Sequence, residues 1–581
     1  MDSDEPVDDS RPTKKSRLFI ARLKKTRCDE KRPTCGPCKN AGLECNYGER
    51  KATKNEVTLS MILHKLERMD AKIDSLSSTP TSDVRFDHPA ELPTSPSTPK
   101  LCTTPISFSS RRMFSWPAMR DLLPPSLESV PAEYALNLEE NRPKLPVRVE
   151  PQADLSPATV RELSEAYFAT FNLANPVLDR RMYFQQTMRT AISGGFGYDA
   201  HSCCVLMTMA LGSFGIRAVD ECRPDDLSNG HTTQSNTDGA AEPTGLVYYN
   251  EARKRVGFLE GDHCMQACQF YLLAAVYHGQ LLRPVDCWSM TMRAAVICLK
   301  YWTAPRQVDD WTSDMFSRLF WITVMYQTIL THELTGLPIS KIHDMEDQVP
   351  LPKFVPYLSS SPADTEEEEE SFYHYHFLSQ IAHRLFLTRV YTSIYHAMPT
   401  GDYPNTALAR ELYHQLERWR SQLPSGLRFD EETPVDGAGP LGDVLVVALL
   451  RSRYFVAQYH LGRPFLYKAL HQPSMLTEED VQRCREALQA TLKWADLALN
   501  MLSIKSCVPL AFPICGQTFG QLVLMYAFRY NPQPALQQLL PTGWEHWAHR
   551  GLQVLRDYSD MSPAIAKDYE IASTLFSMAS T

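Results

Sequence analysis

No run of about 18 consecutive apolar residues, the length that spans a bilayer as a helix, occurs anywhere in the 581-residue sequence. Its longest apolar stretches, such as LFWITVMYQTIL from Leu319 to Leu330, have the length of buried helices, so no membrane association is expected. The opening MDSDEPVDDS lacks the cationic and then apolar layout of a secretion signal, and the chain is expected to be intracellular. Also missing are a Gly-rich phosphate loop, a strand-linked dinucleotide fingerprint, a serine nucleophile elbow and H-E-x-x-H. SGGFG, Ser193 to Gly197, is rich in glycine but fits none of these patterns. The enzyme classes that those motifs mark are therefore excluded, and no catalytic activity is expected. The 15 cysteines of an intracellular chain should remain mostly reduced and buried, so only clustered ones call for a special explanation.

What is present is a strong charge asymmetry. The net charge is −9, yet Arg11 to Lys54 holds 14 Lys and Arg against 4 Asp and Glu, or +10, which leaves −19 for the remainder. A basic head on an acidic body attracts polyanions, of which nucleic acid is the commonest. A nuclear import signal or a solvated tail would share that composition. The cysteines sharpen the choice. Cys35 and Cys38 form C-x2-C, with six residues separating Cys28 from the pair before it and six separating Cys45 from it after. Zinc favours thiolates in tetrahedral arrays, and Pro33 and Gly36 supply the turn that a chelating knuckle requires. Zinc is therefore the expected cofactor, with Cys28, Cys35, Cys38 and Cys45 as its ligands.

This segment resembles the later part of the fungal binuclear zinc cluster, in which six cysteines, spaced C-x2-C-x6-C on each side of a loop, bind two zinc ions. Arg22, Leu23, Lys24, Lys25, Thr26, Arg27, Cys28 and Asp29 follow that family's basic stretch position by position, and Pro33 matches its loop proline. The resemblance implies that Lys24 and Lys25 read bases from a short helix in the major groove, donating to guanine O6 and N7. It implies that Arg22, Arg27 and Lys39 contact phosphates, which fixes register and makes affinity salt-dependent. The implied target is double-stranded DNA with paired GC-rich CGG triplets. Under the alternative reading these charges serve only nuclear import.

The family's first two cysteines fall on Leu18 and Ala21, and neither can bind zinc. By resemblance the first and fourth cysteines bridge both metals, so one bridge is missing at Leu18 and the other is kept at Cys35. A normal two-zinc cluster cannot form from this set. Three explanations stand: an exon edge misplaced upstream of Arg22, a genuine loss of DNA binding, or a single zinc held by the four thiolates. The first is favoured, because the match is intact from Arg22 onward and stops abruptly before it.

Beyond the cluster Leu59, Ile62, Leu66, Met69, Ile73 and Leu76 recur at alternating steps of three and four, a heptad seam. Lys65 and Asp70 fall on g and e positions, where opposite charges pair across a parallel dimer. A docked amphipathic helix gives nearly the same pattern, but the family places a dimerising coiled coil here, and a homodimer is expected. From there to about residue 152 the composition turns to Ser, Thr and Pro and reads as a disordered linker, in which Thr79, Ser95, Thr98 and Thr104 each precede proline.

Helical signals then resume. Ser156 with Pro157 marks a helix start, Met315, Leu319, Ile322, Tyr326 and Ile329 form a helical stripe, and Thr477 with Asp480 stands in capping-box positions. Residues 224–245 and 359–370 read as surface loops, the second as an acidic solvated patch. His263, Cys264 and Cys268 imitate a metal site but fit buried core cysteines better, and His374 and His376 read as packing or surface residues. YFATFNLANPVLDRRMYF (167–184), the stretch from Arg318 to Pro352 and RSRYFVAQYHLGRPFLYKAL (451–470) are similar to the middle homology domain of the same regulators.

The expected organisation is a disordered tail over 1–17, an incomplete zinc-cluster module over 18–47, a short coiled coil over 56–77, a disordered linker over 78–152 and a large all-α regulatory domain over 153–581. The expected function is a sequence-specific transcription regulator of RNA polymerase II genes, dimeric and nuclear, working on the transcription machinery and controlling a metabolic pathway or biosynthetic gene cluster. The resemblance adds a small-molecule effector in some members. The alternative is an interaction protein that has lost DNA binding and acts through its coiled coil and helical body.

Overall fold

The local start signals seen in the sequence operate as helix caps in the computed structural model. The Ser156 hydroxyl accepts from the Thr159 amide, and Pro157 occupies the first turn, where no N–H is needed. Asp480 accepts from the Thr477 amide at 2.8 Å while the Thr477 hydroxyl accepts from the Asp480 amide at 3.2 Å, a reciprocal capping box.

The structure describes residues 108–131, 133–147, 152–221, 243–304, 308–357, 366–395, 406–431, 440–502, 504–508 and 510–578. The chain divides into two units, Met1–Ala90 and Glu91–Thr581, and all the described residues belong to the second. The expected zinc ligands, DNA contacts and heptad residues, the linker up to residue 107 and most of the insertion at 224–245 lie outside the described residues.

The described residues form helices joined by turns, with no strand among them. Those of ten residues or more are α1 (Pro157–Phe168), α2 (Ala200–Glu221), α3 (Leu246–Arg255), α4 (Met265–Gln280), α5 (Pro284–Thr303), α6 (Asp310–Glu333), α7 (Glu366–Val390), α8 (Thr406–Ser421), α9 (Leu441–His471), α10 (Glu478–Leu502), α11 (Ala511–Arg529), α12 (Trp544–Ser559) and α13 (Pro563–Met578). The fold class is thus mainly α, as expected. Of the 359–370 stretch read as a loop, 359–365 lies outside the described residues, while Glu366 onward is the first turn of α7.

Two apolar clusters make the core. One gathers around α2, α4, α5 and α6, and the other around α9, α10, α11 and α13. Helix α2 is long and apolar enough to cross a membrane by length and composition alone, with a mean hydropathy of 1.6, but 78% of that window is buried in protein. It lies unusually close to α1. A Cβ on Gly212 would stand 1.9 Å from the Leu163 carbonyl oxygen, so only glycine permits the approach. Helices α9 and α10 make the most extensive helix pair. Pro464 lies inside α9 and cannot donate to the carbonyl four residues back, and the Tyr395 hydroxyl donates to that His460 carbonyl at 2.7 Å instead.

The expectation of a disordered linker through residue 152 fails from Phe108 onward. Residues 108–131 and 133–147 are folded as a strap over the second core, with short helices at Arg111–Ser115, Pro117–Arg120 and Tyr134–Glu140. Met113 and Met119 are 0% exposed and Trp116 1%. The strap's Ser and Pro content reads as unfoldable only if its own apolar residues are left without partners, and α9, α11 and α13 supply them.

Candidate functional site

Within the helical body the polar chemistry concentrates where α6, α7, α9, α10 and α11 converge beneath the start of the strap. The first part of it is a buried ion cluster. Arg111 donates from Nε to Asp568 Oδ1 at 3.1 Å and from Nη2 to Asp568 Oδ2 at 2.5 Å, and from Nη1 to Glu333 Oε2 at 3.3 Å. The Tyr134 hydroxyl also donates to Asp568. Burial alone would lower the Arg111 pKa, but Asp568 and Tyr134 outweigh it and keep the guanidinium charged. Burial pushes the Glu333 carboxyl up to about 7, against the pull of Arg111.

Beside this cluster lies a cavity of about 170 Å³. Its apolar wall includes Met325, Ile329, Leu387, Leu449, Val456 and Ile514, and Phe108 of the strap closes one side. Its polar wall includes His332, Glu333, His383, Arg384, Arg453, His460 and Gln517. Burial pushes His332 and His383 down to about 3 and His460 well below its ordinary value, with nearby arginines adding to the effect, so all three are neutral near pH 7. The His383 Nε2 stands 2.8 Å from the Arg453 carbonyl oxygen. A carbonyl only accepts, so Nε2 carries the proton and Nδ1 presents a bare lone pair. Burial lowers Arg453 to about 10. Its Nη2 donates to Gln380 Oε1 at 2.6 Å, and its Nε has no partner among the described residues.

The other side chains singled out from sequence are not brought together. Cys268 is buried with its sulfur 3.7 Å from that of Cys298, but Cys264 is exposed, so the core reading holds for only one of the two thiols. His263 faces the Gly261 carbonyl at 2.9 Å. His374 stacks on Phe354 with ring centroids 3.8 Å apart, and His376 is fully buried, both serving packing. Among the described residues no group of three or more His, Cys, Asp or Glu is placed to hold a metal ion. Sequence reasoning missed the cavity. Its only trace there is Arg453 and His460, which stand among apolar residues in the stretch 451–470.

The zinc-ligand candidates are judged by their donor set. Four thiolates satisfy one tetrahedral zinc, and a second ion would need ligands where Leu18 and Ala21 stand. Residues 22–54 match the family model described as fungal Zn(2)-Cys(6) binuclear cluster domain, a domain that binds zinc. The match begins at Arg22, where the resemblance in the sequence also begins. A protein of Claviceps purpurea (strain 20.1) described as "Transcriptional regulator" is 23% identical over 154 residues, or 26% of this chain. The chain spans about a quarter of the length of that relative, 24%.

Proposed function

We propose, on the premise that residues 22–54 match the fungal Zn(2)-Cys(6) binuclear cluster domain, that this chain is a nuclear DNA-binding transcription regulator and not an enzyme. The match, coming within a segment of charge +10, is the observation that carries the reading. Zinc, when bound, fixes the fold of the cluster segment. Lys24 and Lys25 then donate to guanine edges in paired CGG triplets, while Arg22, Arg27 and Lys39 neutralise phosphates. The heptad residues Leu59, Ile62, Leu66, Met69, Ile73 and Leu76 join two copies, so that two half-sites are read at once. The helical body controls output to the transcription machinery at the genes of a metabolic pathway or biosynthetic cluster.

The test is a gel shift with the full chain on a duplex carrying paired CGG triplets, run across a range of salt concentrations. The reading expects a complex that a scrambled duplex does not give and that Lys25→Ala abolishes. Arg27→Ala should weaken binding across sequences and reduce the salt slope by about 1. No preference for the triplets would overturn it. Leu18 and Ala21 favour one second reading, an interaction protein that has lost DNA binding and acts through dimerisation or its helical body. That reading predicts no specific complex and an intact dimer.

A further inference from the structure

We propose that the cavity between α6, α7, α9, α10 and α11 is a binding site for a small organic acid, one with a single aromatic ring or a short branched aliphatic body, a carboxylate and one hydroxyl. Size sets the first limit. A cavity of about 170 Å³ is slightly larger than the ~150 Å³ apolar cavities that hold benzene. Met325, Ile329, Leu449, Val456 and Ile514 give it an apolar wall to match.

Charge sets the second limit. Among the described residues Arg453 has no carboxylate within ion-pairing distance, and its Nε has no partner. Arg384 spends two donors on Thr328 and Thr388 and stands 3.8 Å from Glu346, its nearest carboxylate. The one acidic wall residue, Glu333, is already held by Arg111. Two of the lining residues therefore carry guanidiniums with less than their own charge in opposition, and a carboxylate is the group that restores the balance.

Hydrogen bonding sets the third. Gln517 is 6% exposed, and its Oε1 is engaged by Ser110 at 3.3 Å, which leaves Nε2 as an unpartnered donor. His383 is 2% exposed and offers Nδ1 as an unpartnered acceptor. His460, 6% exposed, has an unpartnered Nδ1 as well. Donors from Arg453 and Gln517 suit the acid, and the His383 lone pair suits a hydroxyl. Buried polar atoms of this kind are ordinarily satisfied, and four of them on side chains that line one small cavity point to a ligand that satisfies them together. Phe108 completes the wall, so an occupant touches the strap by which the body continues into the N-terminal segments. That such an occupant regulates transcription rests on the proposed function; that it binds does not.

The experiment is calorimetry on the full chain with benzoate, 2-hydroxybenzoate and 2-hydroxy-4-methylpentanoate, against phenol and methyl 2-hydroxybenzoate as neutral counterparts. At least one acid is expected to bind once per chain, ten times or more tighter than the neutral compounds, and to raise Tm by a few degrees at a hundredfold excess over Kd. Arg453→Gln should weaken that acid by tenfold or more. Should that variant fail to fold, Ile329→Phe decides the matter, since it fills the cavity and should abolish binding while Tm is kept or raised. Equal binding of acids and neutral compounds, binding unaffected by these substitutions, or no binding by any of the acids, as for a cavity that holds ordered water alone, would overturn the proposal. None of these readouts uses DNA, so their failure leaves the DNA-binding reading untouched.

Discussion

Arg111 and Asp568 stand 457 residues apart in sequence and meet as a two-bond ion pair in which the Asp568 side chain is 0% exposed. The pair ties the strap to α13, and Glu333 at the end of α6 joins it through Arg111 Nη1. Replacing both ions of a buried pair with apolar groups is often tolerated, whereas removing one leaves an uncompensated charge. Arg111→Met is therefore expected to destabilise the body by about 3–5 kcal/mol, and the double variant Arg111→Met with Asp568→Leu to recover a good part of it. Urea midpoints of the two variants check this, and equal losses in both would contradict it.

Acid should unfold the body early. Burial holds His332, His374, His376 and His383 at about 3 in the folded state, against an ordinary value near 6.5. A group whose folded pKa is depressed supports stability above its unfolded pKa and withdraws that support as pH falls toward the folded value. Each such histidine withdraws about 2 kcal/mol between pH 6.5 and 5. Glu333, pushed up to about 7, works the other way, its contribution being full below its unfolded pKa and lost as pH rises through 7. One group against four cannot reverse the trend. Thermal melts from pH 7.5 to 5 should show a steep fall in Tm below pH 6.5, and His376→Gln, if it folds, a shallower one.

The approach of α1 to α2 gives a packing prediction. Gly212→Ala must push the Leu163 carbonyl away from a Cβ that would stand 1.9 Å from it. Overpacking against backbone of this kind should cost about 3 kcal/mol, whereas Gly257→Ala, whose Cβ meets nothing within 4 Å, should change stability little. Denaturation midpoints of the two variants, measured side by side, test the contrast.

Zinc content tests the donor set. With four thiolates in the cluster segment, the purified chain should carry one zinc, and chelation should abolish any triplet-specific gel shift. Far-ultraviolet circular dichroism should hardly change, because the helical body has no metal-holding group among its described residues. Elemental analysis giving two zinc ions per chain would mean that ligands beyond Cys28, Cys35, Cys38 and Cys45 take part.

The parts of this molecule that were legible from sequence are those whose physics is local. The Ser156 cap, the Thr477 and Asp480 capping box and the stripe on α6 each lie within a few turns of chain, and the cysteine and basic spacing of the zinc segment is read within about thirty residues. The strap was not legible, because Phe108, Trp116 and Tyr134 have partners hundreds of residues away while the composition around them averages to a linker. Phe108 stacks on His460 with ring centroids 4.3 Å apart, and the Phe108 and Ser109 carbonyls accept from Arg463 at 3.1 and 2.7 Å. The cavity was hidden for the same reason. A single Arg or His on an apolar helix looks like a surface or packing residue until five helices bring several of them together.

The strap also sets where the gene can be cut. An alternative start or splice that removed residues 108–147 would spare all thirteen long helices, yet it would strip Met113, Trp116 and Met119 from the second core and leave Asp568 without Arg111. A shortened transcript beginning at the first long helix would therefore encode a chain missing part of its interior, and truncated isoforms that keep a working body must begin upstream of Phe108.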